Sequence, residues 1–355
     1  MVSNHKLQET LEEIHEISKV DILLYDQTGK LIASTAPAKE QVQAYIADFA
    51  KSMAQSQMLN GYHFLKVQVE DQTQFVLLAD ASAQESYMVG RLAVCQVRNI
   101  ITSSQEQMDR NHFMQNILLG NMLVVDMYNK AEKLHISQAP RIVYVIEVKG
   151  AKDTVLMETV RGLVDDGHMD FVTEVDEDNI ILVKDASDLK QEWDKEALAK
   201  NIADTLSTEA MVKVRVGYGT IAERLQDITK SYQEAKMALE VGGIFYMERE
   251  TISYSRLGIG RLIYQIPISL CEMFIKEVFG DRTLDLDEET LSTVNKFFEN
   301  NLNISETARQ LYIHRNTLVY RLERFEKIVG LDVRRFEDAM TFKLAMMVMA
   351  HMTKQ

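Results

Sequence analysis

The stretch His314–Lys327, HRNTLVYRLERFEK, constrains the fold of this chain more than any other. Apolar side chains recur there and just beyond at spacings of four, three and four residues, which is the stripe of an amphipathic helix. They are Leu318, Leu322, Phe325 and Val329. Polar and basic side chains recur at i, i+3, i+4 and i+7 on another face. They are Thr317, Tyr320, Arg321 and Arg324. The pattern predicts a helix that buries one face and offers two guanidinium groups on the other.

The residues before this helix predict a second, shorter one. NISE, at 303–306, is an N-cap pattern with its acidic residue at the third helical position. ETARQL continues as a short helix in which Ala308 allows close approach, and YIH forms a tight turn. Helix, short turn and helix make up the helix-turn-helix arrangement. Capped helix pairs also occur in proteins that bind only other proteins, so a protein-interaction module stays open as an alternative.

The polar face of the longer helix suits the major groove of double-stranded DNA. Arg315 and Asn316 fall in its first turn, where recognition helices usually meet base edges. Arginine binds guanine or phosphate in a bidentate fashion, and hydroxyl groups reach phosphates or base edges. The residues expected to contact DNA are Arg315, Asn316, Thr317, Tyr320, Arg321 and Arg324.

The distribution of charge is compatible with such a site. The formal net charge of the 355 residues is -14, yet residues 301–355 hold nine Lys/Arg against six Asp/Glu. An acidic body repels nucleic acid, while a small basic segment can still bind phosphates.

Residues 1–104 predict a small sensor domain with one sheet. A helix over about 4–18 precedes two strand patterns, VDILLYD and LIAST, joined by the turn QTGK. KEQVQAYIADFAKSMAQSQ predicts a helix, and YHFLKVQV and QFVLLAD predict a second hairpin. Periodicity leaves PAS, GAF and profilin-like folds open. The polar groups near the sheet that could bind a small-molecule effector, or serve the structure alone, are Tyr25, Ser34, Thr35 and Tyr62.

A long helix is predicted from about Gln84, continuing into a helical linker over 105–138 that breaks near Gly120. Apolar or small residues recur along it in steps of three or four, which is typical of a dimerising seam. They are Val89, Ala93, Val97, Ile100, Ser104 and Met108. The alternative is that this face simply covers the sheet of its own domain.

Residues 139–250 predict strands and helices in the order βαββαβα, which is ferredoxin-like. RIVYVIEVKG is a buried strand, and a turn at DEDN joins MDFVTEV to IILVKD. A diguanylate cyclase of related fold needs paired glycines and carboxylates at this turn, for nucleotide approach and metal binding. Here Val175–Ile180 has acids but no glycine, and Glu147 is the one acid on the first strand. We therefore predict no enzyme activity, with a nucleotide-handling enzyme as the alternative.

Residues 258–355 predict an all-helical region: helices over about 258–279, 287–299, 304–311, 315–329 and 335–352, with the linker GDRTLDLDE at 280–288. The helix-turn-helix occupies about 285–350. The fold class expected for the whole chain is α+β with several domains.

Residues 303–346 resemble the C-terminal helix-turn-helix of the PucR/CdaR family, the regulators of purine catabolism and sugar-diacid use. The family pattern runs S-x-T-A-x-x-L-x-I-H-R-N-T-L-x-Y-R-L and continues to G-L-D-x-x-x-F-x-D. The matching residues are Ser305, Thr307, Ala308, Leu311, Ile313, His314, Arg315, Asn316, Thr317, Leu318, Tyr320, Arg321, Leu322, Gly330, Leu331, Asp332, Phe336 and Asp338. Residues 140–241 resemble the family's GGDEF-like domain through VRVGYGT and SYQEAKMALEVG.

The resemblance implies a transcription regulator with an N-terminal PAS/GAF-like sensor, a degenerate GGDEF-like domain and a DNA-binding domain. We expect it to respond to a small-molecule effector and to act as a homo-oligomer on paired half-sites. DQTGKLIAST resembles the start of the sugar-diacid sensor. The Arg, Gly and His that follow in the family are replaced here by TAPAKEQVQAY, so the effector is not identified.

Several classes of protein are disfavoured. No run of about 18 apolar residues predicts a membrane helix, and the N-terminus lacks a signal-peptide pattern. Two cysteines, Cys95 and Cys271, form no motif and fit a reducing cytoplasm. Scattered histidines without paired ligands predict no metal site and no cofactor.

Overall fold

The computed structural model describes residues 4–37, 40–69, 72–149, 154–164, 169–176, 178–210, 213–280 and 286–354. The chain divides into two compact units, Met1–Met114 and Gln115–Gln355. Each unit has its own five-stranded sheet. The domain boundaries expected from the sequence, 1–104, 105–138, 139–250 and 258–355, stay predictions.

The first unit is an antiparallel sheet with strands in the order β2-β1-β5-β4-β3. Its elements are α1 (Asn4–Ser18), β1 (Ile22–Asp26), β2 (Leu31–Ser34), α2 (Glu40–Gln43), α3 (Ile46–Lys51), β3 (Ser56–Leu59), β4 (Tyr62–Val69), β5 (Gln72–Asp80) and α4 (Ser86–Leu118). The predicted strands and both hairpins are confirmed.

Alternation along the strands divides the buried side chains between two cores. Ile22 of β1 packs with Leu11 of α1 and Val97 of α4. Its neighbour Leu23 packs in the other core, with Phe49 of α3. Successive residues of a strand point to opposite faces, so helices cover this sheet on both sides.

The single helix predicted over residues 39–57 is wrong. The structure has two short helices, α2 and α3, followed by the edge strand β3, which pairs antiparallel with β4. Lys39 lies outside the described residues. The side chains of Ser56–Leu59 show no alternating burial, so periodicity could not reveal the strand. Assignment to a PAS, GAF or profilin-like fold stays a prediction.

The long helix α4 spans 33 residues and ends before Gly120, whose φ is 69°. The predicted break at that glycine is confirmed. The predicted seam, however, is wrong for four of its six residues, because these side chains pack against the sheet of their own domain. They are Val89, Ala93, Val97 and Ile100. Ser104 is half-buried, and Met108 is 63% exposed.

The second unit starts with the last turn of α4, from Gln115, contains α5 (Val124–Lys133) and continues as a sheet domain. Its strands β6 (Arg141–Lys149), β7 (Phe171–Glu174), β8 (Asn179–Asp185), β9 (Lys213–Tyr218) and β10 (Thr251–Ser253) lie in the order β10-β9-β6-β8-β7. The helices between them are α6 (Thr154–Leu163), α7 (Glu192–Ala210) and α8 (Ile228–Phe245). Strands β6 to β9 pair antiparallel, and β10 adds a parallel strand beside β9. The predicted ferredoxin-like order is confirmed.

Two glycines of the VRVGYGT stretch let α8 lie directly on this sheet. A Cβ atom at Gly217 would lie 2.5 Å from the carbonyl oxygen of Ala235 and 2.7 Å from Cγ of Leu239. Gly219 faces Ser231 in the same way, and Ser231 Oγ accepts a hydrogen bond of 3.2 Å from the Val143 N–H. These glycines therefore serve helix–sheet packing.

The C-terminal region is helical, as predicted. Its helices are α9 (Ile259–Tyr264), α10 (Ile268–Phe279), α11 (Glu288–Glu299), α12 (Ile304–Gln310), α13 (Arg315–Val329) and α14 (Phe336–Thr353). The prediction of a single helix over 258–279 is wrong. The structure has two helices there, because α9 ends before Pro267 and this proline caps the start of α10. Proline lacks the N–H that a continuous helix would need there. Residues 281–285 of the predicted linker lie outside the described residues. Among the residues that the structure describes, no helix combines the length and apolar character that crossing a bilayer requires.

Candidate nucleic-acid interface

Helices α12 and α13 form a capped pair. The side chain of Asn303 accepts a hydrogen bond of 3.1 Å from the Glu306 N–H at the start of α12. His314 begins α13, and its Nδ1 accepts a hydrogen bond of 3.3 Å from the Asn316 N–H. Between the helices, Tyr312 has a φ of 53° and a side chain that is 95% exposed. The local residues thus define both the start of each helix and the turn that joins them.

The apolar stripe of α13 is buried, as its spacing predicts. Leu318, Phe325 and Val329 are 0% exposed, and Leu322 is 1% exposed. They pack with α11, α12 and α14, and the Phe325 ring meets the Phe342 ring edge-on at a centroid distance of 4.8 Å. Burial of these side chains fixes the rotation of α13 about its own axis.

The N-terminal half of α13 points its polar side chains to solvent. Arg315, Asn316 and Thr317 are exposed, and Tyr320 is 66% exposed. Within the described part of the chain, these four side chains form no hydrogen bond or ion pair. They are therefore available to an external partner with base edges or phosphates.

Arg321 is placed differently from the expectation. Its Nη2 lies 2.5 Å from Glu289 Oε1 of α11, its Nη1 donates to Thr293 Oγ1 at 3.4 Å, and the side chain is 31% exposed. Three residues turn a helix by about 300°, which leaves Arg321 only about 60° from the buried Leu318. The sequence pattern placed Arg321 on the open face, but the guanidinium group binds α11.

Arg324 is exposed, like the first-turn residues, but it also has a weak ion-pair partner, unlike them. Its side chain is 61% exposed, and its Nη2 lies 3.9 Å from the carboxylate of Asp287, itself 54% exposed. An exposed pair at this distance is worth little, so a phosphate could replace the carboxylate.

Arg334, in the loop between α13 and α14, was not among the residues predicted from the sequence. Its guanidinium group bonds Asp332 at 2.6 Å and Glu326 at 2.8 Å, and lies 3.5 Å from Glu323. The hydrogen bond from Arg334 lowers the pKa of Asp332. The signal in the sequence was the Asp-x-Arg pattern of a tight turn. This network attaches the C-terminal half of α13 to the loop that follows.

The four candidate effector residues fall into two groups. Tyr25 and Tyr62 are 1% and 5% exposed in the core beneath α2 and α3. Burial, with a contribution from Tyr62, raises the pKa of Tyr25. Thr35 instead serves the sheet, since its hydroxyl accepts from the Ile22 N–H at 2.8 Å, and the backbone of Ser34 exchanges two bonds with the Gln8 side chain.

Lys66 is a buried lysine that was not among the residues predicted from the sequence. It lies on β4, is 7% exposed, and donates a hydrogen bond to the carbonyl oxygen of Ser52, while its Nζ lies 5.4 Å from the centroid of the Phe49 ring. The signal was a lysine inside the otherwise buried strand YHFLKVQV. It ties the C-terminal end of α3 to the sheet.

Two acids that could have bound a metal in the middle domain, Asp176 and Glu147, have partners within the protein. Asp176 Oδ1 accepts from the N–H groups of Asp178 and Asn179 at 3.0 and 2.8 Å, which closes the turn between β7 and β8. Glu147 pairs with Arg215 of the neighbouring strand at 2.8 Å. Glu177 and His168 lie outside the described residues. Across the described ranges, no three histidine, cysteine or carboxylate side chains are grouped to bind a metal ion.

Two family models match the chain. Residues 290–348 match the PucR C-terminal helix-turn-helix domain, which covers α12 and α13, and residues 120–241 match the GGDEF-like domain. Both matches agree with the resemblance seen in the sequence motifs.

Three curated relatives are similar to the chain. The purine catabolism regulatory protein of Bacillus subtilis (strain 168) is 29% identical over 38% of this chain and 25% of the relative. The carbohydrate diacid regulator of Escherichia coli (strain K12) is 23% identical over 73% of this chain and 70% of the relative. The DNA-binding transcriptional activator AdeR of Bacillus subtilis (strain 168) is 28% identical over 39% of this chain and 36% of the relative. The match thus spans about a quarter of the length of the first relative and about a third of the last. The two domain matches, together with these relatives, support the PucR/CdaR family that the sequence motifs indicated.

Proposed function

We propose that this protein is a transcription regulator that binds double-stranded DNA with α13 in the major groove. The observation that carries the proposal is the opposite character of the two sides of α13. One side is wholly buried, whereas Arg315, Asn316, Thr317 and Tyr320 are exposed and have no partner within the described residues. The relative named as a DNA-binding activator supports the same function.

The exposed residues divide by position. Arg315 and Asn316, in the first turn, would read base edges, because recognition helices enter the groove by their N-terminal residues. Thr317 and Tyr320 would reach base edges or phosphates, and Arg324 would bind a phosphate in place of Asp287. Arg321 has the role of a positioning residue that attaches α13 to α11.

The proposed homo-oligomer is a dimer formed along α4. Its outer side exposes a line of residues at helical spacing: Met88 and Leu92, which are 65% and 61% exposed, and then Cys95. Asn99 follows four residues later and is also exposed. Apolar residues at steps of four and three with one polar member are typical of a two-helix contact. A dimer supplies the two recognition helices that paired half-sites require.

The proposed effector is a small molecule that binds the first unit on the side of its sheet covered by α2 and α3. Tyr25 and Tyr62 supply hydroxyl groups in that core. Thr35 is left out of this proposed site because its hydroxyl is bonded to the strand backbone. Effector binding there would alter the packing on α3.

We propose no nucleotide chemistry for the GGDEF-like domain. Its Glu147 is paired with Arg215, and its Asp176 closes a turn. Incubation with GTP and Mg²⁺ should give no cyclic product, and a product that scales with protein would overturn this part.

A gel-shift assay tests DNA binding directly. The full chain is mixed with a labelled fragment from upstream of its own operon and with a scrambled fragment of equal length. We expect a shift of the first fragment that excess scrambled DNA does not remove. Equal shifts of both fragments, or none, would contradict sequence-specific binding.

A further inference from the structure

A large apolar cavity lies where the GGDEF-like domain meets the helix-turn-helix. It has a volume of about 600 Å³ and lies between the end of α8, α9, the turn after α11, and α14. Among its lining residues are Phe245, Ile259, Phe298, Phe336, Met340 and Met347. Sites for small molecules are concave, mostly apolar and roughly 300–1,000 Å³ in volume.

Several of these side chains are exposed to water. Phe336 is 71% exposed, Met340 is 48% exposed and Ile259 is 47% exposed. Exposed apolar side chains grouped around one concavity are unusual unless they meet a partner. Burying them would contribute binding free energy through the hydrophobic effect.

The cavity has one cation at its rim. Lys343 of α14 lines it, and its Nζ lies 5.7 Å from the centroid of the Phe298 ring. No carboxylate in the described ranges lies within ion-pair distance of Lys343. The other polar side chains that line it are the amide of Asn301 and the ring of Tyr246, whose hydroxyl donates to the carbonyl oxygen of Leu257 at 3.2 Å. The cavity therefore combines a broad apolar surface with a single positive charge.

We propose that this cavity binds a small amphipathic anion, that is, a hydrophobic chain or ring bearing a carboxylate. The apolar part would cover Phe298, Phe336 and Met340, and the carboxylate would pair with Lys343. A neutral or cationic amphiphile would leave that charge unpaired. This site is separate from the first unit and from the DNA-binding residues of α13, so it goes beyond the function proposed above.

Because of the position of the cavity, a ligand bound there would affect how the recognition helix α13 is held. Helix α14 joins both sides of it: Phe342 packs against Phe325 of α13, and Lys354 Nζ donates to the carbonyl oxygen of Gly243 in α8. A ligand between α8 and α14 would bias how the recognition helix is held relative to the middle domain. This regulatory effect rests on the proposed DNA binding, whereas ligand binding itself does not.

The experiment uses the full chain and titrates decanoate, decylamine and decanol below their micellar concentrations, measured by displacement of the fluorescent anion anilinonaphthalene sulfonate. We expect decanoate to bind at least about 5-fold more tightly than decylamine or decanol, since a hydrogen-bonded ion pair forms only with the acid. Lys343→Gln should remove that preference. Met340→Trp should fill the cavity and weaken all three by about 10-fold.

Two matched variants serve as controls. Lys276→Gln changes an exposed lysine of α10, and Met58→Trp adds the same bulk at a methionine of the first unit that is 63% exposed. Both should leave decanoate affinity unchanged. Equal binding of the acid and the amine, or equal effects of test and control variants, would overturn the proposal. The proposal would also be overturned if Met340→Trp lost self-association, measured by light scattering, but still bound decanoate. The cavity would then hold a second copy of the chain. Decanoate binding in a protein that shifts no DNA would leave the cavity assignment intact and contradict only the proposed function.

Discussion

Replacement of Gly217 by alanine should destabilise the GGDEF-like domain by about 2–4 kcal/mol. The new Cβ would lie 2.5 Å from the Ala235 carbonyl oxygen and 2.7 Å from Leu239 Cγ, well inside van der Waals contact. One neighbour is helix backbone, so α8 must move away from the sheet. Forcing extra volume into a packed interior costs about 1–3 kcal/mol and occasionally more. Separation of α8 from β6 and β9 adds lost contacts, while alanine's better strand propensity returns only about 0.5–1 kcal/mol.

Urea unfolding followed by tryptophan fluorescence measures this change, because the single tryptophan, Trp193, lies in α7 of the same domain. Gly162→Ala is the matched control: Gly162 lies in α6, and a Cβ there would meet nothing within 4 Å beyond its chain neighbours and the backbone of its own helix. That variant should be more stable than the wild type by about 0.5–1 kcal/mol, because alanine favours a helix. If Gly217→Ala unfolded at the same or higher urea concentration than the wild type, the close helix–sheet contact would be refuted.

Three further predictions concern other parts of the molecule. A short bismaleimide should join two copies through exposed Cys95 but not through buried Cys271; lack of crosslinking in a sample that light scattering shows to be dimeric would exclude α4 as the interface. Burial raises the pKa of Tyr218 from 10.0 to about 12, so this tyrosine ionises at lower pH in the unfolded chain than in the folded one. The free energy of unfolding should therefore fall from pH 10 upward, by at most about 1.4 kcal/mol per pH unit. Absorbance at alkaline pH that shows Tyr218 ionising with the exposed tyrosines would contradict this. Asn303→Ala removes the cap of α12 and should lower the free energy of unfolding by about 1 kcal/mol, whereas Asn303→Ser should restore most of it.

Local patterns predicted the elements whose apolar residues form either a helical stripe or a nearly continuous buried run. The stripe of α13 and the strands β1, β4, β6 and β8 all follow from such patterns. The ferredoxin-like order followed from the sequence of these elements along the chain.

Features decided by distant neighbours could not be predicted in the same way. Residues Ser56–Leu59 show no alternation of buried and exposed side chains, and their strand is recognised only by its pairing with β4. Ala93 and Val97 have the spacing of a dimer seam, but the same spacing results when a helix covers its own sheet. Arg321 lies near the boundary of the buried stripe, and the carboxylate of Glu289, 32 residues earlier in the chain, determines its direction. The helical period alone reveals neither the partner of a side chain nor the element that a helix face packs against.

The GYG stretch shows the limit of reading a motif from composition. Two glycines near the end of a strand can indicate a phosphate-binding loop, but too few are present here for that role. The structure supplies the reason for these glycines: the backbone of α8 lies so close to the sheet that a Cβ atom would not fit between them. The residues of the strand alone do not reveal that α8 approaches it so closely.

The central claim is that the open N-terminal half of α13 binds DNA, and fluorescence anisotropy with the upstream operon fragment at several salt concentrations tests it most directly. Arg315→Ala should weaken binding to the specific fragment by about 1–3 kcal/mol and relax the preference over scrambled DNA. Arg324→Ala should weaken both fragments alike and lower the slope of log affinity against log salt by about 1. Arg321→Met should lower thermal stability while the preference for the specific fragment persists. Unchanged affinity in Arg315→Ala and Asn316→Ala, with the fold intact by circular dichroism, would contradict the account.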